Sequence, residues 1–217
     1  MNNIVGGILD VGLSIRPKII CMFSGGLDSM GALWVLLTEN KYKVFDIHVH
    51  HINIQNIENR TKAEFNAVKN ITNELTNLGH KFTYSSNTLE FNFMNFIGFP
   101  MDMDLCAFTA AQICRYRPEV KHIAMGRTST DVASGTQDFH NRMERAQNIF
   151  KAAQDFPVNP PTYIFPAVNY SKKQLWELLP ENIRNNTWSC RIPQYIDGKA
   201  VECGQCITCV DKQKIFA

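Results

Sequence analysis

Short apolar runs alternate along this chain with longer stretches of helical period, and that alternation restricts the fold more than any other feature. Residues 18–23 (KIICMF) read as a buried strand and residues 27–39 as a helix. A second strand is expected over 44–50 (VFDIHVH). A long helix follows over 58–78, where Ala67, Val68, Ile71, Leu75 and Leu78 recur at helical spacing and Gly79 marks the stop. The series continues with a strand over 81–85, a helix over 105–116 ending before Pro118, a strand over 122–125, a helix over 138–153 and a short strand over 163–165. A helix over 171–179 opens with a capping box, Ser171 and then Gln174. Strands separated by helices of this length need crossover connections. The expected class is therefore α/β, a parallel sheet flanked by helices. From about Asn185 the rhythm breaks into a loop-like, cysteine-rich stretch, which divides the chain into an α/β domain over 1–184 and a C-terminal segment over 185–217.

Bulk properties narrow the function. A chain of 217 residues can bury about 70% of its unfolded surface and needs no disulfides to hold a core. A hydrophobic fraction of 45% with 19% charged residues excludes a disordered chain. A formal net charge of +2 argues against a nucleic-acid partner. No apolar run approaches the roughly 18 residues of a spanning helix, and residues 1–16 lack a basic leader and carry Asp10. These features lead to the expectation of a soluble, cytoplasmic protein with no membrane partner. Seven cysteines, an odd number, argue against a disulfide scaffold.

Between the first strand and first helix stands Phe23-Ser24-Gly25-Gly26-Leu27-Asp28-Ser29. Two glycines permit a tight turn and close approach of an anion, and a helix N-terminus adds partial positive charge. Ser24 and Ser29 supply hydroxyls. An aspartate beside phosphates makes sense if Asp28 reaches a bridging Mg²⁺. The string is neither a Walker A loop nor G-x-G-x-x-G. The bland alternative is a strand-to-helix turn with Ser24 or Asp28 as a cap. The complete hexamer instead resembles the PP-loop of the ATP pyrophosphatase superfamily, which implies cleavage of ATP between its α- and β-phosphates and adenylation of a substrate.

Near the end, Cys190 is followed by Cys203, Cys206 and Cys209. Two nested C-x-x-C units plus one distant cysteine suit a closed, structural Cys₄ zinc site. An iron–sulfur cluster and a redox C-x-x-C are the rivals. The ferredoxin run would continue to a fourth cysteine followed by proline, whereas Val210-Asp211 follows here.

The two motifs in this order resemble 7-cyano-7-deazaguanine synthase. The likeness extends to Asn59-Arg60-Thr61-Lys62-Ala63-Glu64, to Gly126 through Thr130-Asp131 with Ser134-Gly135 and Asp138, to Pro166 with Lys172, and to Arg184-Asn185-Asn186-Thr187-Trp188-Ser189-Cys190. The family's V-P-G-R-N-like segment is replaced by Phe99-Pro100-Met101-Asp102-Met103-Asp104-Leu105, where Asp102 and Asp104 could accept from the donor edge of a guanine-like base. The resemblance implies a homodimeric ligase that uses ATP, Mg²⁺ and ammonia to convert a 7-carboxy-7-deazapurine to a nitrile. It implies cationic contacts from Lys172 and Arg60, and metal or base contacts from Asp131 and Asp138.

Other readings stay open on the residues alone. Arg60 and Glu64, at i,i+4, could be an exposed helix pair. Asp131 and Asp138 could be turn formers or caps. His48, His50 and His51 fit the nucleotide cleft or the sheet edge better than a metal site. Cys21 and Cys114 suit the core. The reaction could stop at the amide or adenylate another substrate, and a non-catalytic nucleotide-binding module is the alternative of another class.

Overall fold

The computed structural model describes residues 16–91, 102–115, 117–133, 137–154 and 159–216, and of residues 137–139 the backbone only. Strands β1 (Lys18–Met22), β2 (Asp46–Gln55), β3 (Thr83–Glu90), β4 (Val120–Ala124) and β5 (Thr162–Ile164) form one parallel sheet in the order β3-β2-β1-β4-β5. The crossovers carry α1 (Leu27–Thr38), α2 (Thr61–Asn77), α3 (Asp102–Cys114), α4 (Ser129–Ala133) and α5 (Gln137–Ala152). After β5 come α6 (Lys172–Leu178) and α7 (Glu181–Arg184). This is the expected α/β architecture.

β1 explains why helices cover both faces. Successive side chains of a strand point to opposite sides, and in KIICM almost all of them are apolar. Ile19 and Cys21 pack with Val68, Ile71 and Leu75 of α2 and with Leu175 of α6. Ile20 and Met22 pack with Ala107, Ala110 and Ala111 of α3 and with Ala146 and Phe150 of α5. Burial pushes the Cys21 and Cys114 thiols up to about 12, as core cysteines require.

β2 begins two residues later than expected and runs five further, because Ile52 and Ile54 are buried on either side of Asn53 and continue the strand. β3 follows it rung for rung from His48 opposite Thr83 to Gln55 opposite Glu90. Along one face the imidazoles make a polar ladder. His48 Nδ1 lies 2.7 Å from Thr83 Oγ1 and its Nε2 2.7 Å from Ser85 Oγ. His50 Nδ1 lies 2.8 Å from Ser85 Oγ and its Nε2 2.8 Å from Asn87 Oδ1. Burial lowers the pKa of both rings.

The C-terminal stretch is not loop-like. β6 (Gln194–Ile196) and β7 (Lys199–Val201) form an antiparallel hairpin, and α8 (Ile207–Phe216) follows. The hairpin turn is Asp197-Gly198, both at positive φ (48° and 75°), which a two-residue turn of this hand demands. α8 packs against α6 through Trp176 and Phe216, whose rings lie 4.5 Å apart. No described helix is long and apolar enough to cross a membrane.

At the start of α6 the capping box is complete. Ser171 Oγ accepts from the Gln174 amide at 3.1 Å, and Gln174 Oε1 accepts from the Ser171 amide at 2.8 Å. Ser171→Ala is expected to destabilise the protein by about 1 kcal/mol in urea denaturation. An unchanged midpoint would mean that tertiary packing, not the cap, fixes the start of α6.

Candidate active site

β1 is flanked by β2 on one side and β4 on the other, so the chain leaves it in two directions. A crevice opens outside the carboxyl ends at such a switch point. The Ser24–Ser29 loop lies in that crevice. Gly25 has φ +79°, and a side chain there would also press on Val68 Cγ2 at 3.1 Å and Ala67 Cβ at 3.2 Å. Ser29 Oγ donates to the Gly26 carbonyl at 3.0 Å and lies 3.1 Å from Ser24 Oγ. No side chain caps α1 at Gly26, so its first turn faces the crevice with amides available to an anion. Gly126, just after β4, abuts the loop: a Cβ there would lie 2.6 Å from the Ser29 amide nitrogen.

Three of the expected residues meet beside this loop. Lys172 Nζ lies 3.3 Å from Asp28 Oδ2 and 3.0 Å from Asp131 Oδ1. Asp131 is also a capping residue, since its Oδ2 accepts from the Thr128 amide at 2.9 Å and hydroxyl at 2.7 Å. The lysine at the head of α6, placed against the helix dipole, is thus held by two carboxylates. Burial opposes its charge, but Asp28 and Asp131 outweigh that and raise its pKa. Burial raises the Asp28 pKa; Lys172 offsets part of this and Asp131 adds to it. Asp28 Oδ1 is buried and has no hydrogen-bond partner. An unmatched carboxylate oxygen beside this glycine turn fits a cation. The Asp138 side chain, with Ser134 and Gly135, lies outside the described residues.

Arg60 and Glu64 are not an exposed helix pair. Both are 6% exposed, at the centre of a cluster of five charges. Arg60 donates to Glu58 at 2.8 Å, to Asp102 at 2.7 Å and to Glu64. Arg191 grips Glu58 with two bonds of 2.6 and 3.0 Å and lies 3.4 Å from Asp102. Burial opposes the Arg60 charge, yet the three carboxylates raise its pKa. Burial lifts Glu64 to about 7, against the pull of Arg60 and with a further push from Asp102. Three acids facing two arginines leave one carboxylate short of a cation. Sequence reasoning missed Glu58 and Arg191, whose partners lie 133 positions apart. The position of Arg191, next to cysteine ligand candidate Cys190, was its only signal.

One cavity of about 280 Å³ joins the two groups. It is lined by the loop, by Arg60, Glu64, Asp102 and Arg191, and by Trp188, Ser189 and Thr208 from the cysteine-rich segment. Cys106 and His50 also line it. His51 is 1% exposed, and its Nδ1 lies 2.8 Å from the Phe23 carbonyl. That bond places the proton on Nδ1 and leaves the buried Nε2 as an acceptor, and the residue lines the same cavity. Asp102 Oδ1 is likewise buried and unmatched. Asp104 does not join it: Arg145 holds that carboxylate at 3.0 Å, away from the cavity.

Cys190, Cys203, Cys206 and Cys209 bring their sulfurs within 4.8 Å of one another. The Cys203 amide donates to Cys190 Sγ and the Cys206 amide to Cys203 Sγ, each at 3.3 Å. Four converging sulfurs with amide donors suit deprotonated thiolates around a metal ion.

No family model and no curated protein matches the chain. Among solved structures it is similar to the U34-tRNA thiolase NcsA from Methanococcus maripaludis with its 4Fe-4S cluster. That likeness has a TM-score of 0.49 and 18% identity, over 91% of this chain and 63% of that one. The chain thus spans less than two thirds of the thiolase, and the reading of the site rests on its own geometry.

The folded protein holds the Glu64 proton up to about pH 7, whereas the unfolded carboxyl releases it near 4.5. This group's contribution to stability is complete below 4.5 and is lost as the pH rises through 7. Glu64→Gln removes that dependence. The wild type is expected to lose stability relative to the variant between pH 4.5 and 7.5 in urea titrations. A difference that stays flat over this range would show that Glu64 is ionised throughout.

Proposed function

We propose that this chain is an ATP-dependent carbon–nitrogen ligase that adenylates 7-carboxy-7-deazaguanine and uses ammonia to reach 7-cyano-7-deazaguanine. One observation carries the reading. A single cavity runs from the Ser24-Gly25-Gly26-Leu27-Asp28-Ser29 loop to a buried acid–arginine cluster that presents one unmatched acceptor, Asp102 Oδ1.

A carboxylate is a poor electrophile and must be activated. Its oxygen attacks the α-phosphorus of ATP, giving an acyl-adenylate and pyrophosphate. Ammonia displaces AMP to form the amide. A second ATP activates the amide oxygen, and loss of AMP leaves the nitrile. Little covalent work falls to the protein, so positioning and neutralisation of phosphate charge dominate. The amides of the loop and of the first turn of α1 hold the phosphates. Lys172, fixed by Asp131, supplies positive charge on the Asp28 side. Asp28 Oδ1 would hold Mg²⁺, which supplies further charge for the departing pyrophosphate. At the other end, Asp102 Oδ1 and His51 Nε2 accept from the N–H and amino groups of the base. Arg60 and Arg191 fix Asp102, so Arg60 serves the base end of the cavity. Asp138 remains part of the proposal as a metal or base contact.

In this reading residues 185–217 form a zinc-binding segment on the nucleotide-binding domain, and the enzyme is a homodimer. Zinc–thiolate bonds of about 2.3 Å put tetrahedral sulfurs about 3.8 Å apart. The Cys203–Cys209 and Cys190–Cys206 separations are 4.0 and 3.9 Å. A four-iron cluster carries each thiolate on a different iron and spreads the sulfurs wider. The purified protein is expected to contain about one zinc per chain by elemental analysis. Iron with inorganic sulfide would replace zinc in this assignment.

The substrate is tested by incubating the protein with ATP, ammonium and 7-carboxy-7-deazaguanine, followed by mass spectrometry. Nitrile with two AMP per product is expected. Amide accumulating with one AMP identifies a shortened reaction, and no AMP at all sinks the substrate. Asp28→Ala is expected to abolish AMP formation with an unchanged circular dichroism spectrum. Undiminished AMP release from the folded variant would remove Asp28 from the site.

A further inference from the structure

The wall of the cavity opposite the sheet is built from the residues that lead into the cysteine cluster, and one of them touches the phosphate loop directly. The Trp188 amide donates to the Gly25 carbonyl at 2.9 Å. The Trp188 carbonyl stands 3.3 Å from where a Cβ on Gly26 would sit, so the two backbones run in close contact. The indole Nε1 of the same residue donates to the Cys190 carbonyl at 2.9 Å. One residue, by its backbone amide on one side and its indole on the other, thus links the loop glycine to a sulfur-bearing residue of the cluster. A second tie runs alongside: Thr208 Oγ1 donates to the Ser189 carbonyl at 2.6 Å and lies 3.2 Å from Cys206 Sγ.

We infer that the four-cysteine centre sets the conformation of the phosphate loop through Trp188, so that metal occupancy and nucleotide affinity are coupled. This rests on the nucleotide reading of the loop given above. Trp188 is a positioning residue. Its amide holds the Gly25 carbonyl, at a glycine whose left-handed backbone has many alternatives. Without a metal, the four sulfurs within 4.8 Å are held only by single hydrogen bonds such as those from the Cys203 and Cys206 amides. Residues 187–191 then lose their anchor, and the bond to Gly25 must compete with water. Coupling of two sites through one element is reciprocal: the factor by which metal tightens nucleotide binding is the factor by which nucleotide tightens metal binding.

The test uses the full chain and a non-hydrolysable ATP analogue with a methylene between its α- and β-phosphates. Calorimetry on metal-loaded and chelator-stripped protein is expected to show affinity about tenfold weaker after stripping, within the usual range of coupling between sites. Trp188→Phe keeps the four thiolates and the backbone amide but loses the indole bond to Cys190. It is expected to bind the analogue more weakly when loaded and to lose less on stripping. Equal affinity in loaded and stripped wild type, both folded by circular dichroism, overturns the inference. Metal release from loaded protein to a chromogenic chelator gives an independent answer even where stripped protein unfolds. The analogue is expected to slow release, and an unchanged rate overturns the coupling. Failure of the loaded wild type to bind the analogue overturns the nucleotide reading itself, whereas binding without coupling overturns this inference alone.

Discussion

Everything in this molecule is arranged around β1, a five-residue strand that pays for no polar side chain beyond its first residue and is covered on both faces. Because it is central, the chain must depart from it on both sides, and the crevice at its carboxyl end is left without a crossover helix. Loops from β1 and β4 and the first turn of α1 can meet only there. The close approach of Gly126 to Ser29 is the direct result: two strand ends converge with no room for a side chain between them.

The second organising element is electrostatic and is expensive in isolation. Taking Glu58, Arg60 and Glu64 out of water costs several kcal/mol per ion, offset only when every charge is well matched. Here the match is one cation short, and burial, with a further push from Asp102, keeps a proton on one carboxyl near neutrality. Such a cluster is a poor device for stability alone and a good one for presenting a fixed acceptor. Both oxygens of Glu58 are committed to arginines, and the cluster leaves Asp102 Oδ1 for something else.

The order of the elements of the parallel sheet, the glycine turn between β1 and α1, the capping box and the four converging sulfurs were legible in the sequence, because each rests on local spacing. Glycine pairs, period 3.6 and C-x-x-C need no knowledge of the rest of the chain. β2 outruns its expected end at His50 because Ile52-Asn53-Ile54 carries the alternation onward. The hairpin after Cys190 went unread despite Asp197-Gly198, since its strands span only three residues each. The partnerships that shape the cavity lay beyond local reasoning. Arg191 with Glu58, Trp188 with Gly25 and Lys172 with Asp28 join residues far apart in the chain, and the α/β topology alone brings them together.

The imidazole ladder between β2 and β3 bears on this site from a distance. β3, with the sequence TYSSNTLE, is an edge strand with little apolar content, so burial gives it a weak preference for any one alignment. His48 and His50 instead each bridge two hydroxyl- or amide-bearing residues that follow one another on that face of β3, like a pin through two links of a chain. Sliding β3 by one residue would break all four of these contacts and turn Tyr84, Ser86 and Thr88 toward the rings instead. Four polar contacts thus tie the edge strand to its neighbour, and the strand they hold is the one that carries His51 to the cavity.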